Sequence, residues 1–145
     1  MSFSSWWLWD KINNVVDLSQ LDSNIFQESE QAVEETVELP SEFISLANKK
    51  LPLSSKFALK YLYDRGFTKA DIISWKIGYC TSGEYKNRII VPSFNNNGAV
   101  NYFVARSYTG DYPKYMNPKV SKDIVFNELY LNWNDDITIV EGVFD

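Results

Sequence analysis

Residues 88–108 of the chain are RIIVPSFNNNGAVNYFVARSY, and this stretch has the clearest structural pattern in the 145-residue sequence. The apolar run from Arg88 to Pro92 predicts a strand that ends at proline, a residue confined to strand edges and ends. The pair Asn97-Gly98 tolerates the positive φ angles of a tight turn. From Ala99 onward, alternating apolar residues predict a second strand. The sequence therefore predicts two strands joined by a turn.

A helix is predicted upstream of these strands. Ser54 or Ser55 can cap its start, and Gly66 supplies a C-terminal stop. Between them, apolar residues such as Phe57 and Tyr61 recur at i,i+4 spacing, which places them on one helical face. These features together predict an amphipathic helix.

A second, shorter helix is predicted from Lys69 to about Trp75. Thr68 and Asp71 have the spacing of a capping box, in which each side chain bonds the other residue's backbone. Two helices joined by a short turn are typical of a packing hairpin and also of a DNA-binding helix-turn-helix. The packing hairpin is favoured, because nothing in the sequence marks a recognition helix.

Two further strands complete a mixed pattern. Ile77 to Cys80 is a short strand candidate, and Ile137 to Val140 is an apolar run of the kind found buried in a parallel sheet. The predicted helices thus precede the predicted strands along the chain. We expect an α/β fold, with an α+β region leading into a final apolar strand.

Composition excludes several kinds of chemistry. The chain has one cysteine, Cys80, and no histidine. It therefore has no internal disulfide, Cys-rich zinc site, Ser-His-Asp triad or imidazole metal ligand, and no bound zinc is expected. No apolar run is long enough to span a membrane, and no signal peptide is recognisable at the start, so we expect a cytoplasmic protein with no membrane partner.

The net charge of −5 hides an uneven distribution. Residues 1–40 hold one basic and eight acidic side chains, whereas residues 49–122 hold thirteen basic and four acidic ones, a net charge of +9. The last 23 residues are acidic again. A basic middle is compatible with a nucleic-acid-binding surface, although a solvated lysine-rich surface has the same composition.

The N-terminal region differs from the rest of the chain in composition. Trp6, Trp7 and Trp9 lie in a predicted helix, where packing on the domain is favoured over base stacking or partner docking. Residues 27–38 are acidic and are interpreted as a linker, ended by Pro40. We therefore expect an N-terminal helix and acidic linker over residues 1–40, a basic subdomain over 41–130, and a further domain beginning at 131.

The last residues contain the candidate catalytic carboxylates. Glu141 follows the predicted strand Ile137–Val140 and is itself followed by Gly142. In open α/β sheets, ligands bind beyond the carboxyl ends of strands, where glycine permits a tight turn. Glu141 could therefore hold Mg²⁺ or exchange a proton there, and Asp145 would lie one helical turn further along. Taken alone, this pattern also fits an ordinary turn.

Several segments, in order, resemble one known family. The run Val140-Glu141-Gly142 with Asp145 resembles the first motif of the Toprim fold, which DnaG-type primases share with topoisomerases and some nucleases. The preceding segments that resemble the primase branch are Tyr61–Phe67, Ile77–Tyr79, Asn87–Pro92, Phe103–Arg106, Pro113–Pro118 and Leu129-Tyr130. The resemblance covers about residues 55–145, and its details are more similar to tailed-phage primases than to bacterial ones.

This resemblance implies the N-terminal subdomain of a primase core leading into the first strand of a Toprim fold. The implied activity is synthesis of short RNA primers on a single-stranded DNA template from ribonucleoside triphosphates, with a replicative helicase as a further candidate partner. Arg88, Arg106 and Lys114 would bind nucleic acid or nucleotide, which agrees with the basic middle. Glu141 would be catalytic and, with Asp145, would bind Mg²⁺ or Mn²⁺.

The sequence departs from that family at several points, two of which concern its metal sites. It cannot form the zinc ribbon of such primases, and no Asp-x-Asp follows the first acidic motif. We therefore expect the 145 residues to be an incomplete part of a primase, inactive as they stand. Two alternatives stay open: a noncatalytic module that binds single-stranded nucleic acid, and part of another Toprim enzyme such as a nuclease or topoisomerase.

Overall fold

Four antiparallel strands form the sheet. The computed structural model describes residues 34–144, and in it the strands are β1 (Ile44–Ser45), β2 (Gly78–Cys80), β3 (Arg88–Phe94) and β4 (Val100–Ser107). They lie side by side in chain order, and each neighbouring pair is antiparallel. Together with the helices described below, this sheet confirms the mixed α and β class predicted from the sequence.

The hairpin of β3 and β4 confirms the strand–turn–strand prediction. In its turn, the Asn95 N–H donates to the Ala99 carbonyl at 2.9 Å, and the Gly98 N–H donates to the Asn95 carbonyl at 2.9 Å. Gly98 has a φ of +79°, the left-handed conformation that glycine adopts without steric cost. The register shifts between Ser93 and Phe94, where β4 contains one extra residue.

In the part of the chain that the structure describes, two helices precede the hairpin: α1 (Ser55–Asp64) and α2 (Lys69–Ser74). The capping box at α2 is confirmed, since the Asp71 N–H donates to Thr68 Oγ1 at 3.1 Å and the Thr68 N–H donates to Asp71 Oδ2 at 2.7 Å. Ser54 occupies the position before α1, but its hydroxyl bonds the Tyr79 hydroxyl at 2.9 Å instead of capping the helix. A 3₁₀ helix, Glu128–Tyr130, follows β4.

The sheet has a core on each face, because residues directly opposite on neighbouring strands share a face and successive residues alternate. The face toward the helices carries the row Tyr79, Ile89 and Arg106. Its buried cluster comprises Leu46, Ala58, Leu62, Ile72, Ile77, Tyr79, Ile89 and Val91. The other face buries Cys80, Ile90, Phe103 and Ala105, and Val37, Leu39, Phe43 and Tyr85 pack against them.

The strand predicted at Ile137–Val140 is wrong. These residues form no strand in the structure, and Ile139 is 91% exposed. A strand requires a neighbouring edge, and within residues 34–144 part of the outer edge of β4 is already bonded by other segments: the Val37 N–H donates to the Val100 carbonyl at 2.8 Å, and residues 114–116 bond the far end. The expected helix after Gly142 is likewise not formed over residues 142–144.

Some predictions fall outside the described residues. The tryptophan-rich helix, most of the acidic linker and Asp145 lie there, and the domain boundaries at 40 and 130 stay predictions.

Residues from Glu35 onward belong to one compact unit. Among residues 34–144, no helix is long and apolar enough to cross a membrane.

Candidate nucleic-acid interface

Arg106 lies at the centre of an aromatic cluster on the helix-covered face of the sheet. Its backbone is in β4, and its side chain is only 6% exposed. The guanidinium donates through Nε to the Tyr61 hydroxyl and through Nη1 to the Tyr115 hydroxyl. Its carbon lies 5.0 Å from the centre of the Tyr115 ring, 5.2 Å from that of Phe144 and 6.0 Å from that of Tyr61. Aromatic faces and neutral hydroxyls therefore surround this cation.

No carboxylate among residues 34–144 forms an ion pair with this buried guanidinium. Among residues 34–144 the only ion pair joins Lys60 to Asp64, on the exposed side of α1. Cation–π contacts stabilise a desolvated guanidinium by about 2 kcal/mol, but they do not cancel its charge. Within residues 34–144 the charge of Arg106 is therefore not offset by an ion pair, and an anionic ligand would be attracted to it.

The loop after β4 brings Tyr115 and Lys114 to Arg106. Residues Tyr115 and Arg106 form an isolated antiparallel bridge. Beside it, the Ser107 N–H donates to the Lys114 carbonyl at 3.0 Å, and the Met116 N–H donates to the Ala105 carbonyl at 2.9 Å. The loop is thus held against the end of β4 by backbone hydrogen bonds.

Lys114 lies at the exposed rim of this cluster. Its Nζ is 5.9 Å from the centre of the Tyr115 ring, which is itself 40% exposed. A second exposed cation, Arg65 at the end of α1, has its guanidinium 4.9 Å from the centre of the Tyr61 ring. Two exposed positive groups therefore flank the enclosed Arg106. We call Tyr61, Arg65, Arg106, Lys114, Tyr115 and Phe144 the arginine–tyrosine cluster.

Arg88 lies on the opposite face of the sheet. Ile89, its neighbour in β3, is directly across from Arg106, so Arg88 points the other way. Its side chain is 3% exposed, its Nη1 donates to the Lys114 carbonyl at 3.5 Å, and its Nε has no hydrogen-bond partner. The structure therefore places the Arg88 and Arg106 side chains on opposite faces of the sheet, and Lys114 contacts both surroundings: its backbone carbonyl accepts from Arg88, and its Nζ lies near the Tyr115 ring.

The charge of Asp111 interacts with that of Arg88. Hydrogen bonds from the Asn87 amide at 3.0 Å and the Thr109 hydroxyl at 2.9 Å lower the pKa of this carboxyl, and the charge of Arg88 lowers it further. Asp111 is accordingly ionised at neutral pH and offsets part of the Arg88 charge. Arg88 is less available to an external anion than Lys114 is.

The segment that carries Glu141 packs beside the arginine–tyrosine cluster. Val143 and Phe144 contact the helix-side core, and the Phe144 ring centre is 5.8 Å from that of Phe67. Glu141 itself is exposed. Within residues 34–144, no three His, Cys, Asp or Glu side chains lie close enough to hold a metal ion. The described residues therefore do not form a metal site by themselves.

Tyr61, Arg65 and Phe144 were not predicted as site residues. Tyr61 lies on α1, and Arg65, four residues later, directly follows its last residue, so the two side chains lie on the same side of the helix. That spacing is the sequence signal that could have found the contact between the Arg65 guanidinium and the Tyr61 ring. Phe144 gives no such signal, because its contact with Arg106 depends on how the last segment folds back.

Comparisons with known proteins define the class: the chain is similar to DNA primases along almost its whole length. It is 27% identical, over 185 aligned positions, to a DNA primase of Staphylococcus aureus strain MSSA476, and 24% identical over 185 positions to that of Staphylococcus epidermidis. Each alignment covers 95% of the chain but only 30% or 31% of the relative. The chain thus spans less than a third of the length of these relatives.

Among solved structures, part of the chain is similar to primases of the DnaG type. The solved structures that match are a DnaG primase catalytic domain bound to ssDNA (20% identity, TM-score 0.43, 46% of this chain and 31% of that one) and an E. coli primase catalytic core (18% identity, TM-score 0.43, 51% and 34%). No family model matches the chain.

Proposed function

We propose that this polypeptide is part of the RNA-polymerase core of a DNA primase, which makes short RNA primers on single-stranded DNA during replication in the cytoplasm. The observation that carries this proposal is the similarity to staphylococcal DNA primases over 95% of the chain. The domain boundaries and the affiliation with tailed-phage primases, expected from the sequence, are part of the same proposal. The intact enzyme would use ribonucleoside triphosphates and could act with a replicative helicase.

The arginine–tyrosine cluster is the part of this chain that would contact the nucleic acid. One matched structure is a DnaG catalytic domain bound to ssDNA. In the present chain, Lys114 and Arg65 are exposed cations beside aromatic rings, a combination that suits single strands, because backbone phosphates need positive charge and unpaired bases need flat surfaces. The buried Arg106 would hold the tyrosine side chains of the cluster in place. Arg88 would contribute to binding from the other face of the sheet.

The proposed reaction is attack by a primer 3′-oxygen on the α-phosphorus of a nucleoside triphosphate. A new P–O bond forms, the bond to the bridging oxygen breaks, and pyrophosphate leaves while the hydroxyl proton passes to a base. We assign Glu141 as that base or as a metal ligand, and Asp145 as a second ligand for Mg²⁺ or Mn²⁺. Such an ion would stabilise charge on the attacking and leaving oxygens, and further carboxylates would be needed to hold it.

Binding of single-stranded DNA tests the interface directly. Lys114→Ala should weaken binding of a labelled oligonucleotide and reduce the slope of log K against log salt by about 0.7, the value for one lost phosphate contact on a single strand. Lys60→Ala is the matched control, since Lys60 is an exposed lysine paired with Asp64 on α1. An unchanged salt slope for Lys114→Ala would contradict the proposed interface.

A noncatalytic binding module is the alternative that the described residues favour, because they contain a basic cluster and no metal site. Ribonucleotide incorporation by a version extended to include a second acidic motif separates the two functions. If Glu141→Gln in that version left incorporation intact, the catalytic assignment would be wrong, whereas loss of incorporation with retained DNA binding would favour primase.

A further inference from the structure

A second candidate site lies next to the arginine–tyrosine cluster, at the junction of α1 and α2. It is a pocket of about 220 Å³ that opens to solvent, lined by Arg65, Gly66, Phe67, Asp71 and Trp75. Pockets for drug-sized ligands are larger, about 300–1,000 Å³. The volume therefore suits one small planar group rather than an extended molecule.

Two aromatic side chains form the walls of this pocket. Trp75 ends α2 and is 36% exposed, although tryptophan is highly buried on average. Phe67 is half-buried, and its ring contacts that of Phe144, which also contacts the Arg106 guanidinium. The pocket thus adjoins the arginine–tyrosine cluster, because Arg65 belongs to both and the Phe67 ring of the pocket contacts Phe144 of the cluster. A strand lying on Tyr115 and Lys114 could continue toward it.

The charged groups of the pocket differ in what they can bind. Arg65 is exposed, with its guanidinium 4.9 Å from the Tyr61 ring centre and 6.0 Å from that of Phe144. Asp71 is held by the Thr68 N–H and hydroxyl, and these hydrogen bonds lower its pKa, so it is ionised at neutral pH. A phosphate would be attracted to Arg65 and repelled by Asp71, which orients a nucleotide across the pocket.

We propose that this pocket binds one unpaired nucleobase of a single-stranded nucleic acid, stacked on Trp75, with the adjoining phosphate on Arg65. The proposal rests on the binding of single strands proposed above. It adds a site for one base beside the cationic side chains of the arginine–tyrosine cluster. Every base has a flat face that can stack on an aromatic ring, so the pocket would select for unpaired bases rather than for a sequence.

The test compares tryptophan variants on two oligonucleotides. One is a labelled thymidine strand of about 12 nucleotides, within the range of single-strand site sizes, and the other is the same backbone without bases. Trp75→Ala should weaken binding of the thymidine strand roughly 5- to 100-fold, the usual effect of losing one stacking side chain. Trp75→Phe should retain most of the affinity. Trp133→Ala is the control, because Trp133 is 60% exposed and does not line the pocket.

The abasic strand separates stacking from charge and from folding. All variants should bind it as weakly as the wild type does. Equal affinity of Trp75→Ala and wild type for the thymidine strand would overturn the proposal, and so would an equal loss on both strands. If Lys114→Ala still lowered the salt slope in either case, the proposed interface would stand without this subsite. A wild-type chain that binds neither strand would overturn both.

Discussion

Replacing Tyr61 by phenylalanine tests whether the hydrogen bond to Arg106 stabilises the fold. The change removes one hydroxyl and keeps the ring. In the structure that hydroxyl accepts from Arg106 Nε, and the Arg106 side chain is 6% exposed, so water cannot readily replace the lost acceptor. A hydrogen bond to a charged group contributes about 1.5–3 kcal/mol, and we expect Tyr61→Phe to lower the free energy of unfolding by about 2 kcal/mol.

Urea denaturation measures this change. With a slope of about 1–3 kcal/mol per molar urea for a domain of this size, the midpoint should fall by about 1 M. Tyr63→Phe on the same helix is the matched control. Tyr63 is 48% exposed, so its loss should cost less than about 0.5 kcal/mol.

A double-mutant cycle shows whether the cost belongs to the Tyr61–Arg106 pair. In an Arg106→Met background the guanidinium is gone, so Tyr61→Phe should cost much less than in the wild type, with a coupling energy of at least about 1 kcal/mol. If Tyr61→Phe costs the same in both backgrounds, the hydroxyl acts through something other than Arg106. The hydrogen bond between Tyr61 and Arg106 would then not be what stabilises the fold.

Two further predictions concern titration and helix capping. Burial, with a smaller effect of the Glu42 charge, raises the pKa of the Cys80 thiol from 9.0 to about 12. The folded state therefore keeps a proton that the unfolded chain loses, and unfolding free energy should fall by about 1.4 kcal/mol per pH unit above pH 9 in urea titrations, with a shallower fall in Cys80→Ala. Thr68→Ala should cost about 1 kcal/mol at neutral pH by loss of the cap. Because the folded pKa of Asp71 is lowered, the capping contribution is complete above its ordinary value of 3.8 and is lost as pH falls below it, so the difference between Thr68→Ala and wild type should narrow in acid.

Local chemistry explains which elements could be predicted from the sequence. The capping box at Thr68 and the turn at Gly98 depend on residues a few positions apart, and both are present in the structure. The run Ile137–Val140 has the composition of a buried strand, but a strand also needs a partner, which local composition does not supply. Likewise Phe144 meets Arg106 only because the last described segment folds back over α1. Contacts of this kind depend on the path of the whole chain.

The placement of the two predicted arginines shows how one residue decides a site. Near the turn, Phe94 is opposite Val100, and continuing that register along the hairpin would place Arg88 directly opposite Arg106 on one face. Two cations in such a pair repel each other. The extra residue in β4, at the shift between Ser93 and Phe94, moves Arg106 opposite Ile89 instead. Because of this bulge, Arg106 contacts Tyr61 and Tyr115, whereas Arg88 lies on the opposite face, where its charge interacts with that of Asp111. Residue spacing in the sequence alone does not reveal the bulge. The basic composition of residues 49–122 is evident from the sequence, but which of its cations share a face of the sheet depends on the position of this one extra residue.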